Sequence, residues 1–201
     1  MTEKKRLSVF GATGSVGSST LSLIREHPDK FALHALSANS DYHSLAQLAQ
    51  EFQPSYVVIA DEAFYTPLSE RLSGLGITVL AGQKALEEVA TQKVDLLVAA
   101  IVGLAGLAPV WRAVEAGQNI ALANKETLVA AGHLIMPAAE KNGATLLPID
   151  SEHNAIFQCL RYENQADIKK IILTASGGPF REMSIAEMQN VTIEQALSHP
   201  N

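Results

Sequence analysis

Leu7-Ser8-Val9-Phe10-Gly11-Ala12-Thr13-Gly14-Ser15-Val16-Gly17 is the stretch on which the fold turns. Residues of strand character run into three glycines spaced G-x-x-G-x-x-G, and a helical pattern follows through Leu21, Leu23 and Ile24. A strand, a tight glycine turn and a helix open a βαβ unit. Glycines at such a turn let the backbone approach a pyrophosphate. The helix start then offers free N–H groups and the positive end of its dipole. The spacing differs from the commoner G-x-G-x-x-G, and a plain glycine-rich turn has the same composition. Its position at the head of the first βαβ unit favours a nucleotide.

Outward from this stretch, short apolar runs alternate with helical patterns. Strands are expected at Leu7–Phe10, Phe31–Ser37, Tyr56–Ala60, Thr78–Leu80, Leu96–Ile101, Ile120–Ala123, Thr145–Pro148 and Lys170–Thr174. Helical spacing is clear in Leu45, Leu48, Ala49 and Phe52, and again in Leu128, Ala131, Leu134, Ile135 and Ala138. The strands are almost wholly apolar, as buried parallel strands are. The expected fold class is α/β, a Rossmann-like, doubly wound, mainly parallel sheet followed by the start of a second α/β domain. Gly117 and Asn142-Gly143 read as helix ends, and Ser184-x-x-Glu187 and Thr192-x-x-Gln195 as capping boxes. The pattern changes after Pro148, so the boundary is set at 1–149 and 150–201, the second part incomplete.

Composition narrows the function classes. The 201 residues are 47% hydrophobic and 18% charged, which excludes a disordered polar chain. Fifteen basic against twenty-one acidic residues give a net charge of −6, without the basic excess of a nucleic-acid binder. The single cysteine, Cys159, excludes an internal disulfide and a cysteine-rich zinc site. It sits in an apolar run and is expected to be an inert core thiol. The run Leu96–Trp111 is shorter than the ~20 residues of a membrane span and holds Gly103, Gly106 and Pro109. No targeting signal is legible, and a cytoplasmic setting is expected.

Four further stretches bear on chemistry. The second strand ends at Ser37-Ala38-Asn39-Ser40-Asp41, with no carboxylate directly at its end to meet an adenosine ribose. That favours NADP over NAD, yet no Arg or Lys stands there, leaving Asn39 and Ser40 as hydrogen-bond donors or a simple polar turn. Asn124-Lys125-Glu126 follows a strand, where open sheets bind ligands; it also reads as a helix start, and both can hold. Pro148-Ile149-Asp150-Ser151-Glu152-His153-Asn154 places two carboxylates two residues apart, pointing one way if extended. They suit Mg²⁺ or Mn²⁺ with a third ligand from elsewhere, or they cap a helix. Thr174-Ala175-Ser176-Gly177-Gly178-Pro179-Phe180 presents a hydroxyl and bare N–H groups; alone, it reads as a bend.

GATGSVG, LANKETLV, PIDSEHNAIFQ and TASGGPF, in this order, resemble the 1-deoxy-D-xylulose 5-phosphate reductoisomerase family over essentially the whole chain. The resemblance implies an NADPH- and metal-dependent isomerisation and reduction of 1-deoxy-D-xylulose 5-phosphate to 2-C-methyl-D-erythritol 4-phosphate in non-mevalonate isoprenoid biosynthesis. It implies that Thr13, Gly14, Ser15 and Val16 hold the NADPH pyrophosphate, and that Asn39, Ser40 and Asp41 form the turn around its 2′-phosphate. Asn124 and Glu126 would lie along the cofactor. Lys125 would contact substrate, and Asp150 and Glu152 would bind Mg²⁺ or Mn²⁺. By the same resemblance Lys125, Asp150 and Glu152 would form the catalytic set. Ser151, Glu152, Ser176 and His199 would join Lys125 in contacting the substrate. Ser40 departs from the basic residue common there. The resemblance also implies a homodimer. It further implies that an active-site loop, a third metal carboxylate and a helical domain are missing here, so that the chain is an N-terminal portion without full activity alone. A semialdehyde-type dehydrogenase needs a nucleophilic cysteine in a polar turn, which Cys159 does not provide. A bare nucleotide-binding module has no need of Asp150 and Glu152.

Overall fold

The structure, a computed structural model, describes residues 3–161, 165–173 and 178–198. It divides into two compact units, Met1–Asn154 and Ala155–Asn201.

The first unit is built on a seven-stranded sheet. Its strands are β1 (Lys5–Phe10), β2 (Phe31–Ala38), β3 (Tyr56–Ile59), β4 (Thr78–Ala81), β5 (Leu96–Ala99), β6 (Asn119–Leu122) and β7 (Thr145–Pro148). They lie in the order β4-β3-β2-β1-β5-β6-β7, and every pairing is parallel. The first seven expected strands thus stand within a residue or two of their places. The order reverses between β1 and β5, which makes the C-terminal ends of these two strands the switch point of the sheet.

Strand alternation separates two cores. Val9, Val57, Ile59, Val98 and Ala121 face one side, and Phe10, Val58, Leu97, Ile120 and Leu122 the other. Helices α1 (Ser15–Glu26), α2 (Tyr42–Phe52) and α3 (Tyr65–Arg71) cover the first face with Leu21, Ile24, Leu45, Ala49 and Leu68. Helices α4 (Gln83–Ala90), α5 (Leu107–Glu115) and α6 (Lys125–Asn142) cover the second with Leu86, Val89, Val110, Ala113, Ile135 and Ala139. Because both faces are buried, the strands can be apolar at every position. Gly117 and Gly143 adopt the left-handed conformation at the ends of α5 and α6, φ 67° and 70°.

The strand pairing contains one irregularity. Leu7 pairs with Leu33 but Ser8 pairs with Ala35, so His34 is an extra residue in β2. This bulge puts Leu33 and Leu36, three apart, into the same core, which a regular strand would not do.

In the second unit, helix α7 begins at Ser151 in the first unit and continues to Leu160; α8 (Ile185–Met188) and α9 (Ile193–Leu197) follow. Both expected capping boxes form, Ser184 with Glu187 and Thr192 with Gln195. Two expectations are corrected here. Residues 170–173 form no strand: Ile171, Ile172 and Leu173 are exposed, and no strand neighbours them among the described residues. An apolar β-prone run needs a partner edge to become a strand. Cys159 is exposed rather than a core thiol, because α7 has no buried residue. Among the described residues, no helix is long and apolar enough to cross a membrane.

Candidate functional site

Two cavities open at the switch point. The larger, of about 380 Å³, is lined by Gly11, Thr13, Gly14, Asn39, Ile101 and neighbouring residues. The glycine turn is held from below: the Gly11 N–H donates to Ser37 Oγ at 3.1 Å, and Ala12 N–H to the Ser37 carbonyl at 2.7 Å. Gly11 has φ +82°, and a Cβ there would meet the Ala100 carbonyl oxygen at 2.5 Å. A Cβ on Gly17 would collide with the backbone of Gly11 and Ala12. The turn therefore packs tightly enough that two of its three positions require glycine. Gly14 is the N-cap of α1 and has no side chain with which to cap. The first N–H groups of α1 have no acceptor within the helix and are available to an anion.

Asn39 lines the same cavity, while Ser40 is exposed beside it. Asp41 acts locally, its carboxylate accepting from Ser44 N–H at 3.0 Å and capping α2. Hydrogen bonding from the Ser44 side chain first, and from its N–H second, holds the Asp41 carboxyl below the ordinary carboxylate value.

The second cavity, about 190 Å³, is lined by Ser15, Val16, Asn124, Lys125, Glu126 and Asp150 among others. The sequence thus brings the glycine turn, the β6–α6 junction and the β7–α7 junction to one place. Asn124 is the N-cap of α6, its Oδ1 accepting from Thr127 N–H at 3.0 Å and Thr127 Oγ1 at 3.1 Å. Its amide donates to the carbonyls of Ile101 and Gly103. The buried Asn124 side chain is thereby committed to tying the 101–106 loop to α6. The helix-start reading of this motif holds, and its three residues also line the cavity.

Lys125 Nζ donates to Asp150 Oδ2 at 2.9 Å and lies 3.8 Å from Glu152 Oε2. The Asp150 side chain is 10% exposed and that of Lys125 52%. The ammonium holds the Asp150 carboxyl below its ordinary value, and Asp150 in turn raises the Lys125 amine above its own. Asp150 Oδ1 is buried without a hydrogen-bond partner; the His153 Nδ1 stands 3.6 Å away. The segment is not extended, as the reading of paired carboxylates supposed. The Asp150 carbonyl accepts from Asn154 N–H at 2.8 Å, so Asp150 precedes α7 and Glu152 lies in its first turn. The two carboxylates converge because both reach Lys125. Ser151 is exposed on that turn.

This donor set fits a hard divalent cation in part. A buried oxygen without a donor is an open acceptor for a cation, and carboxylates are the ligands Mg²⁺ prefers. Two carboxylates leave most of the coordination shell to other groups. Among the described residues, no cluster of three His, Cys, Asp or Glu side chains could hold a metal. Ser176 and His199 lie outside the described residues. Sequence reasoning missed Ile101 and Val102, which line both cavities, and Gln83, which lines the larger and donates to the Ala105 carbonyl at 3.4 Å. Val102 is 85% exposed, and its place just beyond a strand, at the end where open sheets bind ligands, was the available signal.

A doubly wound parallel sheet with a glycine turn and cavity at its switch point defines a Rossmann-like protein of the dinucleotide-binding class. The family model for 1-deoxy-D-xylulose 5-phosphate reductoisomerase matches residues 7–132, and that for its C-terminal domain matches residues 146–201. The chain belongs to the 1-deoxy-D-xylulose 5-phosphate reductoisomerase family. It is 52% identical to the reductoisomerase of Saccharophagus degradans and 48% identical to that of a Geobacillus species, covering 98% of this chain and 52% of each relative. It spans about half the length of the curated relatives it matches. Among solved structures it is similar to the Zymomonas mobilis enzyme in complex with NADPH, TM-score 0.90 at 47% identity, over 98% of this chain and 52% of that one. It is also similar to a reductoisomerase in complex with NADPH, fosmidomycin and magnesium, TM-score 0.84 at 47% identity, over 98% of this chain and 51% of that one.

Proposed function

We propose that the whole protein containing this segment converts 1-deoxy-D-xylulose 5-phosphate to 2-C-methyl-D-erythritol 4-phosphate, an NADP-dependent isomerisation and reduction in non-mevalonate isoprenoid biosynthesis. One observation carries the reading: the glycine-turn cavity and the Lys125–Asp150–Glu152 cluster adjoin at one switch point, with Gly14 lining both cavities. A cofactor-binding module alone needs the first feature and not the second.

Thr13, Gly14, Ser15 and Val16 present backbone N–H groups and the α1 dipole to the NADPH pyrophosphate. Asn39, Ser40 and Asp41 form the turn toward its 2′-phosphate, and Asn124 and Glu126 border its other end. Asp150 and Glu152 hold Mg²⁺ or Mn²⁺. Lys125, Ser151 and Glu152 meet the phosphorylated sugar, together with Ser176 and His199. Bound NADPH supplies the hydride, and a bound divalent cation supplies Lewis-acid polarisation of carbonyl and hydroxyl oxygens. The protein's own contribution is orientation and charge. Lys125 offers a cation to developing negative charge on the sugar oxygens, and Val102 adds an apolar wall to both cavities. The reading includes a homodimer and a cytoplasmic setting.

The test is titration of the complete protein with NADPH and NADH, followed by NADPH oxidation in the presence of 1-deoxy-D-xylulose 5-phosphate. Saturable binding favouring NADPH, with oxidation that needs both the sugar phosphate and the divalent metal, is expected. Oxidation that proceeds equally without metal, or binding that favours NADH, overturns the reading.

A further inference from the structure

Lys125 is the first residue of α6, where the helix dipole disfavours a cation. It is nevertheless drawn onto Asp150 and Glu152, at 2.9 and 3.8 Å. Its ammonium is the one Lys or Arg charge paired with either carboxylate among the described residues. We propose that Lys125 is a resident counter-ion of the Asp150–Glu152 pair, and that divalent metal and the Lys125 ammonium occupy this pair in exchange. This rests on the assignment of Asp150 and Glu152 as metal ligands.

The argument is one of charge and reach. Two carboxylates that converge on one point repel each other unless a cation stands between them. A lysine ammonium on a flexible four-carbon stem can fill that role and leave without backbone movement. A metal held by both carboxylates would take the place between them that the ammonium now fills, and two cations a few ångströms apart repel. The displaced ammonium can turn into the cavity it already lines with Ser15 and Val16, beside the start of α1. Metal loading would thus free a cation where an anionic substrate arrives, setting the order of metal before sugar phosphate. Lys125 is then a positioning residue in the metal-free state and a substrate contact in the loaded one.

Mn²⁺ binding to the complete protein, followed by the loss of free-ion electron paramagnetic resonance signal without cofactor or sugar, separates the possibilities. The comparison is between wild type, Lys125→Met, which keeps the stem without the charge, and Asp150→Asn. Exchange predicts that Lys125→Met binds Mn²⁺ more tightly than wild type, by roughly three- to tenfold. Wild type binding Mn²⁺ with Lys125→Met equal or weaker overturns the exchange and leaves the metal assignment standing. Wild type binding no better than Asp150→Asn overturns the metal assignment, and the exchange with it.

Discussion

At the level of single residues, the glycine turn constrains itself by contact. A methyl group on Gly17 has nowhere to go, since the obstacle is the backbone of Gly11 and Ala12 rather than a flexible side chain. Gly17→Ala should cost about 2 kcal/mol or more through overpacking, read as a lower urea midpoint, with NADPH affinity falling in parallel. An unchanged midpoint would show that α1 can shift away from the turn at little cost. Ser40 has the opposite character: it is exposed, so the position can accept a larger side chain. Ser40→Arg adds a charged donor beside the turn assigned to the 2′-phosphate. A charge-assisted bond of ~1.5 kcal/mol should tighten NADPH about tenfold and leave NADH unchanged. Equal tightening of both cofactors would mean that the introduced guanidinium meets the pyrophosphate instead, and the assignment of this turn would fall.

Among the elements, the junction of β6 with α6 shows how local sequence builds the site. Asn124 ends one element, caps the next and fastens a third through the carbonyls of Ile101 and Gly103. Asn124→Ala removes the cap and strands two carbonyls, a loss of about 2–4 kcal/mol. For a chain of this size that lowers Tm by roughly 5–15 °C. Calorimetry should also show weaker NADPH binding, because the loop bearing Ile101 and Val102 loses its tether. A loss of binding with Tm unchanged would instead make Asn124 a direct cofactor contact. These elements were legible because most strand positions are apolar and many breaks are marked by glycine or a capping residue. The helix starts at Ser184 and Thr192 were legible for the same local reason. Lys170–Leu173 was not, since strand formation depends on an edge supplied elsewhere, which local sequence does not report. The geometry of Asp150 and Glu152 was half legible: their convergence is real, but it comes from a shared lysine rather than from strand alternation.

For the molecule as a whole, a partly buried polar network lies at the end of the sheet opposite the site. His34, the bulged residue of β2, takes an Arg6 Nη2 hydrogen bond on Nδ1 at 2.8 Å and meets Gln92 Oε1 through Nε2 at 2.7 Å. Gln92 in turn offers its carbonyl to Gln118 Nε2 at 2.7 Å. The chain of bonds joins β1, β2, the end of α4 and the turn before β6. Arg6 can only donate, so Nδ1 accepts, and the ring is neutral with its proton on Nε2. Protonating Nδ1 would break that bond and place a second charge against the guanidinium. Burial first, and Arg6 after it, therefore hold the His34 pKa below its ordinary 6.5, against the opposing bond to Gln92. The unfolded chain takes up a proton as pH falls through about 6.5, while the folded one waits for its lower value. Stability is thus full above about pH 6.5 and declines between there and the folded-state pKa. Replacing His34 with Gln removes the titrating group but keeps a polar side chain in the bulge. Urea unfolding across pH 8 to 5 should show wild type losing more stability than His34→Gln over that window. Parallel curves would mean that the network opens before it protonates, and that the bulge rather than the hydrogen bonds sets the position of His34.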